Sequence, residues 1–406
     1  MIRTLKRLQS PIRVGLVGAG CMGSGIAHQI SQTPGMVLKW IVAQRPETAR
    51  ELARKTGTGT FGTDACPLLQ SHPVDVLVEA SNTIWAAYQY CKTALETNTH
   101  VVLMNAEVDL VFGPHLCKMA ASENLVVTSD AGDQHGVLGR MIQEIQLWGF
   151  DIVQAGNVKG FLNRYATATE LTREAAKRNI SPLKCCAFTD GTKLNIEMAI
   201  LANAFGFSPA KIGMTGPKVH QVNDVLQSFD LDQLSTMNGN IDYILGAQPG
   251  GGVYVIGRCN DPIQQPYLEY YKIGNGPYYL FQRDYHLCHI ETTGAIARTF
   301  FHRTPELQPW AGRITDVYAF AKHEIPASTA IPHGIGGEHF YGMIAPSKDA
   351  TQNNWVPIAL LDSEREPALL SRSIASDEAL TWDHIPSFAS PMIDLYRTPG
   401  NQEPAP

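Results

Sequence analysis

The chain has 406 residues, 44% of them hydrophobic and 17% charged, with a net charge of −6. That length suits about two or three domains, each with its own core. The acidic balance, with no basic block, argues against nucleic acid as a partner. No apolar run reaches the roughly 18 residues of a membrane span, and no apolar stretch of the export type follows Arg3, Lys6 and Arg7. Neither membrane nor secretion is therefore expected. The eight cysteines are scattered without a C-x-x-C pattern, so a reducing cytoplasm without structural disulfides is expected.

The first 150 residues alternate strand and helix patterns. Strands are predicted at Ile12–Val17, Val37–Val42, Val74–Ala80, His100–Met104 and Leu125–Ser129. Helices are predicted at Cys21–Gln32, Pro46–Thr56, Thr83–Thr97 and Gly113–Glu123. This order predicts an α/β fold with a parallel, doubly wound Rossmann sheet over residues 1–150. An α+β domain over 151–311 follows. It has a strand at Asp151–Asn157, a helix at Thr192–Phe205 and a strand at Gly252–Gly257. A hairpin is predicted in which Tyr267–Ile273 and Pro277–Gln282 pair through Gly274-Asn275-Gly276. Tyr285–Arg303 reads as a helix. A small β-rich domain is predicted over 312–390, with strands at Val317–Lys322, Gly342–Met343, Val356–Leu361 and Ala368–Leu370. The Pro-rich segment 391–406 is expected to be a disordered tail.

Gly18-Ala19-Gly20-Cys21-Met22-Gly23 lies between the first strand and the first helix. G-x-G-x-x-G in that setting is the dinucleotide fingerprint. The first Gly allows a tight turn, the second lets backbone approach a pyrophosphate, and the third lets helix pack on strand. The pyrophosphate then meets free N–H groups at the helix N-terminus. Ligands in such sheets bind at the carboxyl ends of the strands, which here carry Ala80 and Ser81, Asn105 and Glu107, and Asp130–Gln134. The second strand ends in Ala43-Gln44-Arg45 without a carboxylate. A guanidinium there suits a 2′-phosphate, which favours NADP over NAD. The alternative is that Arg45 merely starts a surface helix.

Several groups further along can carry chemistry. Lys193 and Glu197 share one face of a largely apolar helix, and Asp190 precedes it; such charges are costly unless they face a partner or a cavity. A plain i,i+4 surface pair is the alternative. Lys159 follows the strand expected beneath the nicotinamide and can relay a proton; with Arg164 it can instead belong to a solvated loop. Asp130, Asp133 and His135 can bind a divalent cation or a polyol, and an Asx-capped turn explains them equally well. His286 and His289 share a helical face, and Arg283 can meet an anion; their spacing is not that of a zinc site.

Together, Gly18–Gly23, Met104-Asn105-Ala106-Glu107, Asp130–Gln134, Gly156-Asn157-Val158-Lys159-Gly160, Asp190-Gly191-Thr192-Lys193, Glu197-Met198 and Tyr285–His289 resemble the homoserine-dehydrogenase-like oxidoreductases that end in a SAF domain. Ala321–Pro326, Val356–Leu361 and Ile374–Ile385 carry the SAF part. Within these, the chain resembles the 1-deoxy-D-xylulose 5-phosphate reductoisomerase-like group, which serves isoprenoid precursor synthesis. The resemblance implies an NADP domain, a central catalytic domain that also dimerises, and a SAF module. It implies NADPH-dependent reduction of a small phosphorylated polyol or ketose. By charge and position, Lys159, Lys193, Glu197, Asp133, Asp190 and His289 are expected in the catalytic set, with Arg164, Arg283 and His286 towards the phosphate. Asn105 is followed by Ala106, so the Lys found there in homoserine dehydrogenase is absent. The second reading is a plain dehydrogenase on another hydroxy compound, and the third a non-catalytic NADP-binding protein.

Overall fold

A computed structural model describes residues 1–362 and 366–405. The chain forms two compact units. The first gathers residues 1–133, 287–309 and 391–406, and the second residues 134–286 and 310–390. The segment expected as a separate third domain thus belongs to the same unit as the central sheet.

The first unit contains a six-stranded sheet: β1 (Ile12–Val17), β2 (Met36–Val42), β3 (Thr60–Gly62), β4 (Val76–Glu79), β5 (His100–Leu103) and β6 (Val127–Ser129). The strands lie in the order β3-β2-β1-β4-β5-β6, and every pairing is parallel. This is the dinucleotide-binding arrangement, with its order reversing between β1 and β4. Strands buried on both faces read as continuous apolar runs, as in β4 and β5, where every residue is buried. Close packing is visible where a Cβ on Gly15 of β1 would come within 2.3 Å of the Trp40 ring.

The helices Cys21–Gln32 and Pro46–Thr56 match the sequence expectation. The helix expected to begin at Gly113 starts seven residues earlier, at Ala106, and runs to Ser122. Pro114 reads as a break in sequence, but it is accommodated inside this helix. The true start is Asn105, whose side-chain oxygen accepts the Val108 N–H at 3.3 Å, a side-chain N-cap.

Two later segments complete the first unit. Helix Cys288–His302 brings Ala295, Ile296 and Ala297 into the core formed by β1, β2 and helix Cys21–Gln32. The tail expected to be disordered is ordered as far as Ala405. Pro391–Tyr396 is helical, Asn401 is fully buried and donates to the Val111 carbonyl at 2.8 Å, and the Ala405 N–H donates to the Pro309 carbonyl. Composition suggests disorder because the few apolar groups, Met392 and Ile393, are buried only in the folded chain. Pro406 lies outside the described residues.

The second unit holds β7 (Asp151–Lys159), β8 (Asn240–Leu245), β9 (Val253–Arg258) and β10 (Tyr278–Arg283), ordered β10-β9-β7-β8. The β7–β8 pairing is parallel and the others antiparallel. The hairpin expected from Tyr267 to Gln282 does not form. Gln265–Tyr270 is a helix with Pro266 in its first turn, and β10 pairs with β9 instead, Tyr278 opposite Arg258 and Arg283 opposite Val253. Asp261 accepts the Ile263 N–H at 2.8 Å just before the helix. Only Leu268 of the helix is buried, so the aromatic alternation that mimics a strand points largely to solvent.

Helix Gln134–Leu147 is not legible in the sequence, because Gly136 and Gly139 weaken its signal; Leu138, Ile142 and Ile145 nevertheless bury at helical spacing. Helix Thr192–Phe205 appears as expected, with every residue from Thr192 to Ala204 buried. It packs on β11 (Thr315–Ala321), which pairs antiparallel with β13 (Phe340–Pro346); between them in sequence, β12 (Ala330–Ile331) pairs with β14 (Ala368–Leu369). Val356–Leu361 is not a strand: Ile358–Leu361 is a buried 3₁₀ turn.

Candidate functional site

In the first unit the three fingerprint glycines occupy three different environments. Gly18 has φ +102°, and a Cβ there would lie 2.4 Å from the Ala80 carbonyl oxygen. Its N–H donates to the Val42 carbonyl at 2.8 Å, tying the exits of β1 and β2 together. A Cβ on Gly23 would lie 2.0 Å from the Gly18 carbonyl oxygen, so this glycine lets the helix sit on the turn. Gly20, the N-cap residue, would meet nothing within 4 Å. Among the described residues, no side chain of the N-cap position bonds the helix that follows. Its first N–H groups therefore end at open backbone, with Cys21 exposed and Met22 half-buried. That is the geometry a pyrophosphate needs.

The other strand exits of this sheet carry the remaining candidates of the first unit. Arg45 is exposed at the end of β2, as the N-cap residue of helix Pro46–Thr56. Glu79, the last residue of β4, is fully buried. Its Oε1 accepts the Ser81 N–H at 3.0 Å. Burial pushes this carboxyl up to about 7, against the pull of Ser81 and Asn105. Asn105 donates to the Thr83 carbonyl at 2.7 Å, and Glu107 is half-buried in the first turn of the helix that Asn105 caps. At the end of β6, Asp130 Oδ2 accepts the Gly132 N–H at 2.7 Å, the Asx-type turn that the sequence allows. Burial raises this carboxyl also to about 7. Asp133 is buried and closes this segment of the first unit. His289 lies against the fingerprint helix: a Cβ on Gly25 would come 2.4 Å from its ring.

In the second unit, four side chains converge from three elements. Lys159 ends β7 and Asn157 lies two residues before it, on the same face of the strand. Gln134 begins helix Gln134–Leu147, and Glu197 lies in the middle of helix Thr192–Phe205. The Lys159 ammonium hydrogen-bonds Gln134 Oε1 and lies 3.7 Å from Glu197 Oε2. Asn157 Nδ2 donates to both of these oxygens, each at 3.2 Å. Gln134 Nε2 in turn reaches the Gly252 carbonyl at 3.4 Å. The Glu197 side chain is 3% exposed and that of Lys159 21%, so the carboxylate anchors a cation that still meets solvent. Lys193 is buried one turn before Glu197. The pair is not a surface pair, because the whole helix is covered.

The remaining predicted residues have other surroundings. Asp190 forms a buried ion pair with Lys322 at 2.9 Å and accepts the Thr192 N–H at 2.9 Å. Burial raises its carboxyl, with Lys322 opposing. Lys322 also donates to the carbonyls of Ala166 and Gly337, at 2.6 and 2.8 Å. Asp190 therefore joins the helix start to the residue that follows β11. Arg164 is exposed over the Tyr341 ring, 5.1 Å from its centroid. Arg283 lies 4.5 Å from the Tyr285 centroid, and His286 is half-buried nearby in sequence. Gln134 and Asn157 stand inside the motifs above, but their residue type alone suggests no role. Glu79 gives no sequence signal, because an acid inside an apolar strand end has no characteristic spacing.

Residues 132–292 match the family model described as oxidoreductase DRL, catalytic domain. That span holds Lys159, Lys193 and Glu197 together with Gln134 and Asn157. The chain is 25% identical to a homoserine dehydrogenase of Neisseria gonorrhoeae over 135 residues, 31% of each protein. It is 25% identical to a homoserine dehydrogenase of Bacillus subtilis over 213 residues, 48% of this chain and 49% of the relative. The matches thus span about a third to a half of the length of these relatives. A solved structure of a homoserine dehydrogenase from Thiobacillus denitrificans aligns at 15% identity with a TM-score of 0.46, over 90% of this chain and 98% of that one.

Proposed function

We propose that the chain is an NAD(P)-dependent oxidoreductase of the homoserine-dehydrogenase-like type, acting on a small carbonyl or hydroxy compound. The observation that carries this reading is the division of roles among Gly18, Gly20 and Gly23. Two are packed against backbone, and one leaves the helix N-terminus open, in a sheet whose order reverses beside them. The family-model match over residues 132–292 supports the same reading.

The dinucleotide supplies hydride chemistry when bound. Gly18–Gly23 would hold its pyrophosphate, and Arg45 its 2′-phosphate, which makes NADP the expected form. The second unit's own residues move the proton. Lys159 is the cation with solvent access, and it can donate a proton to a carbonyl oxygen as that oxygen gains charge. Glu197 and Gln134 hold the ammonium, and Asn157 fixes both acceptors. Asp190 acts on this helix as a cap and anchor.

The substrate we favour is a phosphorylated ketose, reduced after a rearrangement of its carbon skeleton as in the reductoisomerase-like group. Arg164, which is exposed, and Arg283 and His286, which are half-buried, are the cationic side chains we assign to its phosphate. Incubation with 1-deoxy-D-xylulose 5-phosphate and NADPH tests this directly. Loss of nicotinamide absorbance with formation of 2-C-methyl-D-erythritol 4-phosphate supports it. Turnover only of unphosphorylated hydroxy compounds favours the plain dehydrogenase reading instead.

Arg45→Ala should weaken NADPH binding about tenfold or more and leave NADH binding within about twofold, since one charge-assisted contact to phosphate contributes about 1.5–3 kcal/mol. Fluorescence titration with both nucleotides measures this. Equal losses would remove Arg45 from the 2′-phosphate site.

A further inference from the structure

We infer that Glu79 is a positioning residue of the dinucleotide crevice, setting the β4 exit against Gly18 and coupling dinucleotide affinity to a proton. The inference rests on the reading that the first unit binds a dinucleotide.

Glu79 stands where the strand order reverses. It pairs in register with Val17 of β1 on one side and Leu103 of β5 on the other. Its side chain does not point to solvent: the residue is fully buried. Oε1 bends back to the Ser81 N–H. This fixes the turn at Ala80, whose carbonyl oxygen fills the space that a Cβ on Gly18 would need. Ser81 Oγ is 3.0 Å from Thr83 Oγ, and the Thr83 carbonyl is held by Asn105. One carboxyl group thus sets the turn that the exits of β1, β4 and β5 share.

A structural carboxyl could do this with both oxygens bonded. Here Oε2 is buried without a hydrogen-bond partner among the described residues. An ionised carboxylate with a bare oxygen in an apolar setting is costly, and neutralising it relieves that cost. The titratable groups facing it add to the effect. Glu107 on helix Ala106–Ser122 raises the carboxyl further, and Cys91 on helix Trp85–Glu96 feels its charge. Asp109 also acts on Cys91. The flanking residues of β1 and β5 are Val17 and Leu103, and bring no charge.

A dinucleotide brings anionic phosphates to the Gly18–Gly23 turn, next to the Ala80 turn. The phosphates favour the neutral form of Glu79, so binding takes up a proton over the range in which this group titrates, near pH 7. By linkage, affinity falls as pH rises through that range.

The test is the affinity of NADPH between pH 6 and 8.5 for the wild type and Glu79→Gln. The 2′-phosphate titrates identically in both, so it cancels in the comparison. Wild-type affinity should fall about tenfold more over this range than that of Glu79→Gln, within the usual span for two linked binding events. Parallel pH profiles overturn the inference. If the variant fails to fold, calorimetry of the wild type at pH 7 in buffers of different ionisation enthalpy replaces it. Net proton uptake on binding of NADH, which lacks the 2′-phosphate, supports the inference, and no exchange overturns it. Failure of the wild type to bind any nicotinamide dinucleotide at any pH would instead overturn the cofactor reading itself.

Discussion

Replacing Lys159 by Met should lower kcat by about 10² to 10⁴, the usual range for loss of a positioned proton donor, while NADPH affinity stays within about twofold. Met keeps most of the aliphatic stem and removes only the ammonium. The loss should fall on kcat because the proton is needed as charge develops on the substrate oxygen, not when substrate binds. Glu197 makes the prediction sharper. It is buried and faces the ammonium at 3.7 Å, so Lys159→Met leaves it with Asn157 as its described neutral donor. A thermal melt should therefore accompany the kinetics, to separate lost chemistry from lost folding. Glu197→Gln keeps the shape and removes the charge that faces the ammonium, and should lower kcat more than it changes KM. The measurement is steady-state turnover on whichever carbonyl substrate the wild type reduces. Near-wild-type kcat in Lys159→Met would remove this lysine from the proton path.

Lys322→Met should lower stability by about 3–5 kcal/mol, the cost of leaving one half of a buried ion pair uncompensated. Both partners are essentially inaccessible. The ammonium also satisfies the carbonyls of Ala166 and Gly337, which would lose a donor at the same time. The double variant Lys322→Met with Asp190→Asn should recover part of the loss, because the stranded charge is gone. Urea unfolding gives both values. A loss below about 1 kcal/mol for Lys322→Met would show that water enters this site and solvates Asp190. The same result would return Asp190 to the group of residues with chemistry to perform.

The first unit is legible in sequence where period and punctuation agree. β1 and helices Cys21–Gln32 and Pro46–Thr56 appear with the expected bounds, since Gly18, Gly20, Pro46 and Gly57 mark their ends. The start of helix Ala106–Ser122 is hidden because Pro114 looks like a boundary when its surroundings are unknown. The Tyr267–Gln282 hairpin fails for a different reason. Local alternation suggests a partner nearby, but β10 gains more by completing the sheet on β9 than by folding on its neighbour. At the candidate site, Lys159 and Glu197 are legible as charges misplaced in apolar surroundings. Their joining through Gln134 and Asn157 is not, because neutral amides leave no charge or spacing signature. Asp190 carries the same signal as Glu197, yet its partner is Lys322, far along the chain and beyond the reach of any local pattern.

The first unit is assembled from three separated stretches of chain, and this has a consequence for how the protein is made. A ribosome delivers β1 to β6 first, but Ala295–Ala297 arrive only after residues 134–286, and the contacts of Asn401 only after residues 310–390. Until then the nascent sheet lacks the helix that covers part of its core. Contacts between distant parts of the chain, such as that of Asn401 with Val111, close large loops and form late. The intervening second unit, continuous but for residues 287–309, is free to mature first. Pulse-labelled nascent chains should therefore acquire protease resistance in the central segment before the N-terminal one, reversing the usual N-to-C order of domain folding.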